Sequence, residues 1–338
     1  MKGSRITAVF FVVIFTNCAS TPPPAWVTNV QSVYPREVYI TGLGRSNSSR
    51  RDAEEKALAE IALYFVTQIS VERSLRTAWT EQDGVFTSES RMEENSLVES
   101  HARLVAVRYA QDPWYNPATK EWETIAYIQR DEGWSAYEAT ARRQAEAFLN
   151  LVKAAEEEIE PFTAVLRLGI ANAYAESVEF ITVRDFSQVL HPALASAFFG
   201  STDSAWASLR QKQLLARERA VISIQCPVDQ DRIIYQAMVK ALGNEGFATG
   251  SRGNTATVCV IQVEEGMQVS NSGTFYTPSL TTTISGSTGA MMSFQVNTER
   301  FGASNSDVAK RRAYNALAAA LESTFSTELE RWQSALIR

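Results

Sequence analysis

The sequence predicts an α+β fold: two small α/β sandwich-like modules, helices packed on mainly antiparallel sheets, bridged by a helical segment. Three observations carry this. Residues 37 to 65 run from a β-branched and aromatic stretch through Gly42-Leu43-Gly44 into an alanine-rich helical pattern. Residues 134 to 215 keep their apolar residues largely at helical spacing. Residues 220 to 332 then read as strand, helix, three strands and helix. With 338 residues, 45% hydrophobic and 21% charged, the chain has the length and composition of two or three packed domains, not of long disorder.

Lys2 and Arg5 precede an apolar stretch from Ile6 to Phe15. It is too short to cross a bilayer as a helix and has the length of a signal h-region. Cys18 stands where that stretch ends, and Thr21-Pro22-Pro23-Pro24 follows as a stiff polyproline tether. The arrangement resembles a bacterial lipoprotein signal. That implies removal of residues 1–17, lipidation of Cys18 with acyl chains such as palmitate, and membrane attachment through them. A plain secretory signal or an uncleaved anchor is the competing reading. Losing Lys2 and Arg5 takes the net charge from −6 to −8. Such an acidic, evenly mixed chain has no electrostatic footprint for nucleic acid, and no nucleic-acid partner is expected.

Ala25-Trp26-Val27 is where the chain joins the fold. Glu37 to Thr41 reads as a strand, Gly42-Leu43-Gly44 as the turn out of it, and Ser49 with Asp52 as a helix-capping pair. Ala53, Ala57, Ile61, Tyr64 and Phe65 recur at helical spacing, and alanine there lets the helix lie close on a sheet. From Thr67 to Trp79 the period changes to two, which predicts a strand. Glu81 to Gly84 reads as a turn and 86–100 as extended. Leu104 to Tyr109 and Thr124 to Ile128 read as strands. Between them, Asp112-Pro113-Trp114-Tyr115-Asn116-Pro117 reads either as a partner- or glycan-binding loop, through Trp114 and Tyr115, or as a plug on a sheet edge.

Trp134 to Glu158 is a long helical pattern broken at Pro161. A second helix runs through Val165 to Ala175, and a third spans Leu194 to Leu215 with an interruption at Gly200. Ala220 to Cys226 is a strand, Asp229 caps a helix through Leu242, and Gly243 and Gly246 end it. Strands follow at Thr257–Val263, Thr274–Ile284 and Ala290–Thr298, the last two joined by a glycine-rich hairpin link. Within the polar stretch Gly266 to Ser287, a face against a neighbouring subunit and a solvated loop are both open readings. An amphipathic helix from Ser306 to Trp332 closes the chain. The expected organisation is therefore 1–17 signal peptide, 18–25 tether, 26–131 first domain, 132–218 helical segment and 219–338 second domain. Gly44-Arg45-Ser46-Asn47-Ser48 recurs as Gly302-Ala303-Ser304-Asn305-Ser306, each before an alanine-rich helix. A structural repeat and convergence on good capping residues both account for it.

Pro24-Ala25-Trp26, Tyr39-Ile40-Thr41-Gly42-Leu43-Gly44, the alanine-rich helix Ala53–Ala62 and Ala126-Tyr127-Ile128-Gln129-Arg130 together resemble the LPP-twenty family of bacterial outer-membrane lipoproteins over about residues 24 to 135. The resemblance implies a surface or periplasmic lipoprotein, with flagellar outer-membrane components among the family, and brings no catalytic constellation. The C-terminal pattern, with Leu242 to Phe247 as its turn, resembles small periplasmic α/β modules of envelope-assembly proteins.

The chemistry-bearing residues are sparse. Gly42-x-Gly44 lacks the third glycine of a dinucleotide fingerprint; Asn47 stands there. His101 and His191 lie far apart, without ligand-spaced partners. Glu156-Glu157-Glu158 and Glu160 read as a solvated helix end. Cys226 and Cys259 either pair in an oxidising compartment or remain buried thiols. The sequence thus leads us to expect no catalytic residue, cofactor or metal. It predicts a non-catalytic scaffold or interaction lipoprotein of the envelope, facing the periplasm. Envelope or flagellar proteins, or a second copy of itself, would be its partners. The alternative is an accessory activator or transport factor for an envelope enzyme or assembly machine.

Overall fold

The protein is described by a computed structural model covering residues 22–80, 104–250, 257–271 and 273–336, with the side chains of 72–80 left aside. The chain divides into two compact units. One runs through Tyr137 and takes in Val189–His191; the other comprises Glu138–Gln188 and Pro192–Arg338. Helices and sheets make up both, as the α+β expectation requires.

The first unit holds α1 (Ala25–Thr28), α2 (Val30–Val33), β1 (Tyr39–Ser46), α3 (Arg50–Thr80), β2 (Arg108–Tyr109), β3 (Trp114–Asn116), β4 (Glu121–Gln129) and the first turns of α4 (Arg130–Glu156). All three other strands pair antiparallel with β4, which leaves β1 at an edge. Gly42 and Gly44 lie inside β1, not in a turn after it. Residues two apart share one face of a strand, and that face is covered by α3. A Cβ on Gly42 would sit 2.2 Å from the Ala57 carbonyl oxygen, and one on Gly44 would sit 1.8 Å from that of Ala53. The alternation that suggested a strand at 67–79 is likewise corrected, since α3 continues to Thr80. Ile61, Phe65 and Ile69 step four residues at a time along its buried side, whereas Val71 is 48% exposed. The strand expected at Leu104–Tyr109 shrinks to two residues because Ala106 takes φ +54°, incompatible with a pleat. The readings at 81–103 lie outside the described residues.

Local chemistry fixes the start of α3. Asp52 N–H donates to Ser49 Oγ at 3.1 Å, while the Asp52 carboxylate accepts from Ser46 Oγ at 2.5 Å and Ser48 Oγ at 3.0 Å. Lys56 pairs with it at 2.9 Å. The free edge of β1 is met by the same helix: Leu43 N–H donates to Glu60 Oε2 at 2.9 Å. Trp26, 5% exposed, anchors the incoming chain on Ala110 and Ile125. Arg130 ends the sheet. Its guanidinium donates to the carbonyls of Val189 and Leu190, both at 2.8 Å, to that of Arg36 at 3.1 Å, and to Tyr64 Oη at 3.4 Å.

The second unit contains the rest of α4, then α5 (Pro161–Ala175), most of α6 (Val178–Leu190), α7 (Pro192–Arg219), β5 (Val221–Gln225), α8 (Ile233–Asn244), β6 (Ala248–Thr249), β7 (Thr257–Glu264), β8 (Gln268–Ser270), β9 (Gly273–Tyr276), β10 (Ser279–Gly286), β11 (Gly289–Asn297), β12 (Phe301–Ala303) and α9 (Ser306–Leu336). Pro161, read as a breaker, occupies the first turn of α5, where its missing N–H costs nothing. Helix α6 was not anticipated, although Phe180, Val183 and Leu190 are buried along it. Helix α7 passes Gly200 uninterrupted.

Its main sheet runs β11-β10-β7-β5-β6. β5 lies parallel to β7 and β6, and β7, β10 and β11 are antiparallel. The Asp229 carboxylate accepts from Ile233 N–H at 2.9 Å and Tyr235 N–H at 2.7 Å, so this residue does cap α8. Gly246, at φ +78°, lets the chain turn back after it. The expected strand Thr274–Ile284 is in fact two, broken at Thr277-Pro278. β9 joins β8 and β12 in a separate small sheet, while β10 joins the large one. Buried Phe162, Ile222, Ile234, Met238, Ile261, Leu317, Leu321 and Phe325 fill the core between helices and sheet.

The two Gly-x-Ser-Asn-Ser segments serve different geometry. The first helix is capped by Ser49, the second by Asn305 Oδ1, which accepts from Asp307 N–H at 2.8 Å and Val308 N–H at 3.3 Å. A Cβ on Gly302 would strike the Phe275 ring at 2.4 Å, not a helix backbone.

Candidate functional site

Four helices and the turn after α8 line an open pocket of about 680 Å³ in the second unit, a size typical of small-molecule sites. Helical spacing puts Val165, Leu166, Gly169, Ile170 and Ala173 of α5 on its wall, joined by Leu151, Phe247 and Leu329. Gly169 leaves that wall bare: a Cβ there would meet only Gln213 Nε2, at 3.7 Å. Gln213 and Arg217, four residues apart on α7, supply polar groups, and Tyr174, Glu245, Glu330, Gln333 and Ser334 complete the lining.

Arg217 is the distinctive member. Its guanidinium rests against Gly246, where a Cβ would lie 3.1 Å from Cζ. Its Nε is shut off from solvent and has no hydrogen-bond acceptor, and no hydrogen bond or ion pair among the described residues engages this side chain. Glu245 is held elsewhere, accepting from Ser326 Oγ at 2.8 Å, and Glu330 is exposed to solvent. The pocket therefore offers apolar walls and one guanidinium that no carboxylate of the lining pairs with. Nothing local in the sequence marks it, because its residues come from 151 to 334 and Arg217 reads as an ordinary basic helix end.

Among the described residues, none of the candidate site residues read from the sequence lines this pocket. Cys18 and His101 are outside the described residues. Trp114 packs with Trp26, Ala110 and Ile125, as a plug on the sheet would. Tyr115 remains 45% exposed, its ring centroid 5.3 Å from that of Trp122. Cys226 and Cys259 are free thiols, placed beside one another by the pairing of Ile224 with Cys259. Burial pushes them up to about 11 and about 12 respectively, so both stay protonated at neutral pH. His191 bonds Asp131 at 3.0 Å.

The glutamate run does not behave uniformly. Glu158 pairs with Arg167 at 3.1 Å and Glu156 with Lys212. Glu160, expected in solvent, is buried; it accepts from Ser287 Oγ and from Thr288 N–H at 3.2 Å, tying the β10–β11 turn to α5. Among the described residues no group of three or more His, Cys, Asp or Glu is placed to hold a metal ion.

Displaced ionisations elsewhere trace to fold contacts. Hydrogen bonds from Ser46, Lys56 and Ser48 hold the Asp52 carboxyl down at about 2. For Glu265, burial pushes upward but is outweighed by hydrogen bonds from Lys310 and Tyr314, leaving it below its ordinary value. Tyr314 Oη donates to Glu265 at 2.9 Å, and Lys310 pairs with it at 2.7 Å, fastening the end of β7 to α9.

No protein-family model matches the chain, and no curated protein matches it. Among solved structures it is similar to a minor lipoprotein from Acinetobacter baumannii, at 14% identity over 32% of this chain and 94% of that one, with a TM-score of 0.25. It is also similar to a secreted protein from Helicobacter pylori, at 12% identity over 84% of this chain and 97% of that one, with a TM-score of 0.31.

Proposed function

We propose that this protein is a lipid-anchored lipoprotein of the bacterial cell envelope that works by binding and assembly, not catalysis. One observation carries the reading. Cys18 follows a charged and apolar leader, and a proline tether leads from it directly to Trp26, the first buried side chain of the fold. A tether of that length and stiffness suits a globular body held just off a membrane. No helix among the described residues is long and apolar enough to cross a membrane. Attachment is assigned to acyl chains on Cys18. Resemblance to the LPP-twenty family points to the outer membrane and to envelope or flagellar partners.

The test is fractionation of cells producing the wild type and Cys18→Ser. The wild type should sediment with membranes and the variant should be released. A variant that stays in the membrane pellet would contradict the anchor. The pocket favours a second reading, that of a transport or accessory factor carrying a ligand to an envelope machine. A pull-down from solubilised envelopes separates the two, because a scaffold recovers itself in excess whereas a carrier recovers its acceptor.

A further inference from the structure

We propose that the pocket of the second unit binds a single-chain anionic amphiphile, its hydrocarbon chain against α5 and its headgroup on Arg217. Two independent features of the pocket lead there. The first is its wall: Leu151, Ile170 and Ala173 keep accessible apolar surface on about 680 Å³ of open space, with Val165, Leu166, Phe247 and Leu329 packed behind them. Gly169 keeps the middle of α5 free of any side chain. Apolar surface left unfilled at this scale forfeits contacts that a hydrocarbon chain would restore.

The second feature is the charge. A guanidinium carries five N–H donors and is seldom withdrawn from water unless paired. Arg217 is half-buried, stacked on Gly246, and engaged by no acceptor among the described residues. Neither carboxylate in the same lining pairs with it: Glu245 accepts from Ser326 Oγ and Glu330 stands in solvent. What the buried Nε lacks is an acceptor, and anionic oxygens are the strongest acceptors a guanidinium takes. Guanidinium binds carboxylate and phosphate oxygens in two-point geometry, so fatty-acid carboxylates and single-chain phosphates share the recognition chemistry.

The experiment is calorimetric titration of the full chain carrying Cys18→Ser with three twelve-carbon probes below their micellar concentrations. These are dodecanoate, dodecyltrimethylammonium and dodecyl maltoside, with dodecyl phosphate and inorganic phosphate as further arms. Dodecanoate and dodecyl phosphate should bind at one site, and the other three should not. Arg217→Gln should weaken dodecanoate at least tenfold. Gly169→Leu should abolish binding while raising or preserving the melting temperature, since leucine favours the helix and extends into open space. Equal binding of the cationic or neutral probe would overturn the proposal. So would unchanged affinity in Arg217→Gln, absence of dodecanoate binding to the parent, or binding that survives a folded Gly169→Leu. Binding of inorganic phosphate alone would reduce the site to an anion site and overturn the apolar half.

Discussion

Adding one methyl group at Gly44 should destabilise the first unit by about 4 kcal/mol. The magnitude follows from the closeness of β1 and α3. The new Cβ would lie 1.8 Å from the Ala53 carbonyl oxygen and 2.6 Å from the Ala57 nitrogen, both backbone atoms of one helix. No side-chain rotation relieves such contacts, so the helix must retreat by about 1.5 Å to restore van der Waals distance. Ala53, Ala57, Ile61 and Phe65 are fully buried along that helix, and even a gap of about 1 Å forfeits up to roughly half of each contact's attraction. Overpacking a core costs about 1–3 kcal/mol when side chains can adjust, and a backbone clash belongs above that range. Against a domain stability of about 5–15 kcal/mol, Gly44→Ala should lower the melting temperature by roughly 10–15 °C, read by circular dichroism. Gly200→Ala is the control. It lies in the interior of α7 with nothing within 4 Å of the added Cβ, and should stabilise by about 1 kcal/mol. If Gly44→Ala melts within 2 °C of the wild type, close approach of the helix is not why glycine stands there. The idea that the Gly-x-Gly pair serves packing and not a ligand then fails.

Arg130→Lys should cost about 2 kcal/mol in chemical denaturation, because a single ammonium cannot reach the Val189, Leu190 and Arg36 carbonyls together; a loss under 0.5 kcal/mol would show that the guanidinium does not fasten these segments. Asp52 is held down at about 2, so its contribution is fully present above its ordinary value of 3.8 and fades as pH falls towards 2. The stability gap between wild type and Asp52→Asn should accordingly be wide at pH 6 and narrow between pH 4 and 2. A gap that stays constant over that range would contradict the capping role.

What the sequence made legible depended on how local the determining contact is. The capping residues Ser49 and Asp229 could be read directly, because a cap acts within a few residues of itself. The strand Glu121–Gln129 was found from its β-branched and aromatic run, short only at its ends. Gly42 and Gly44 were misplaced into a turn because glycine in a turn and glycine beneath a helix look alike until the helix is docked. Ile69 and Val71 suggested a strand since a short apolar alternation fits both periods; only the burial of Ile69 four residues after Phe65 decides. Pro278 could have divided Thr274–Ile284, as it lacks the N–H that a central strand donates. The pocket had no local signature, because Gly169, Arg217 and Leu329 meet only through tertiary packing.

Lipid anchoring stands or falls with the fate of Cys18. Intact mass spectrometry of the N-terminal peptide, from protein purified out of membranes, measures it. An anchored lipoprotein yields a mature chain beginning at Cys18 and carrying the added mass of acyl chains. A mature terminus at another residue, or an unmodified Cys18 within an uncleaved leader, would contradict it.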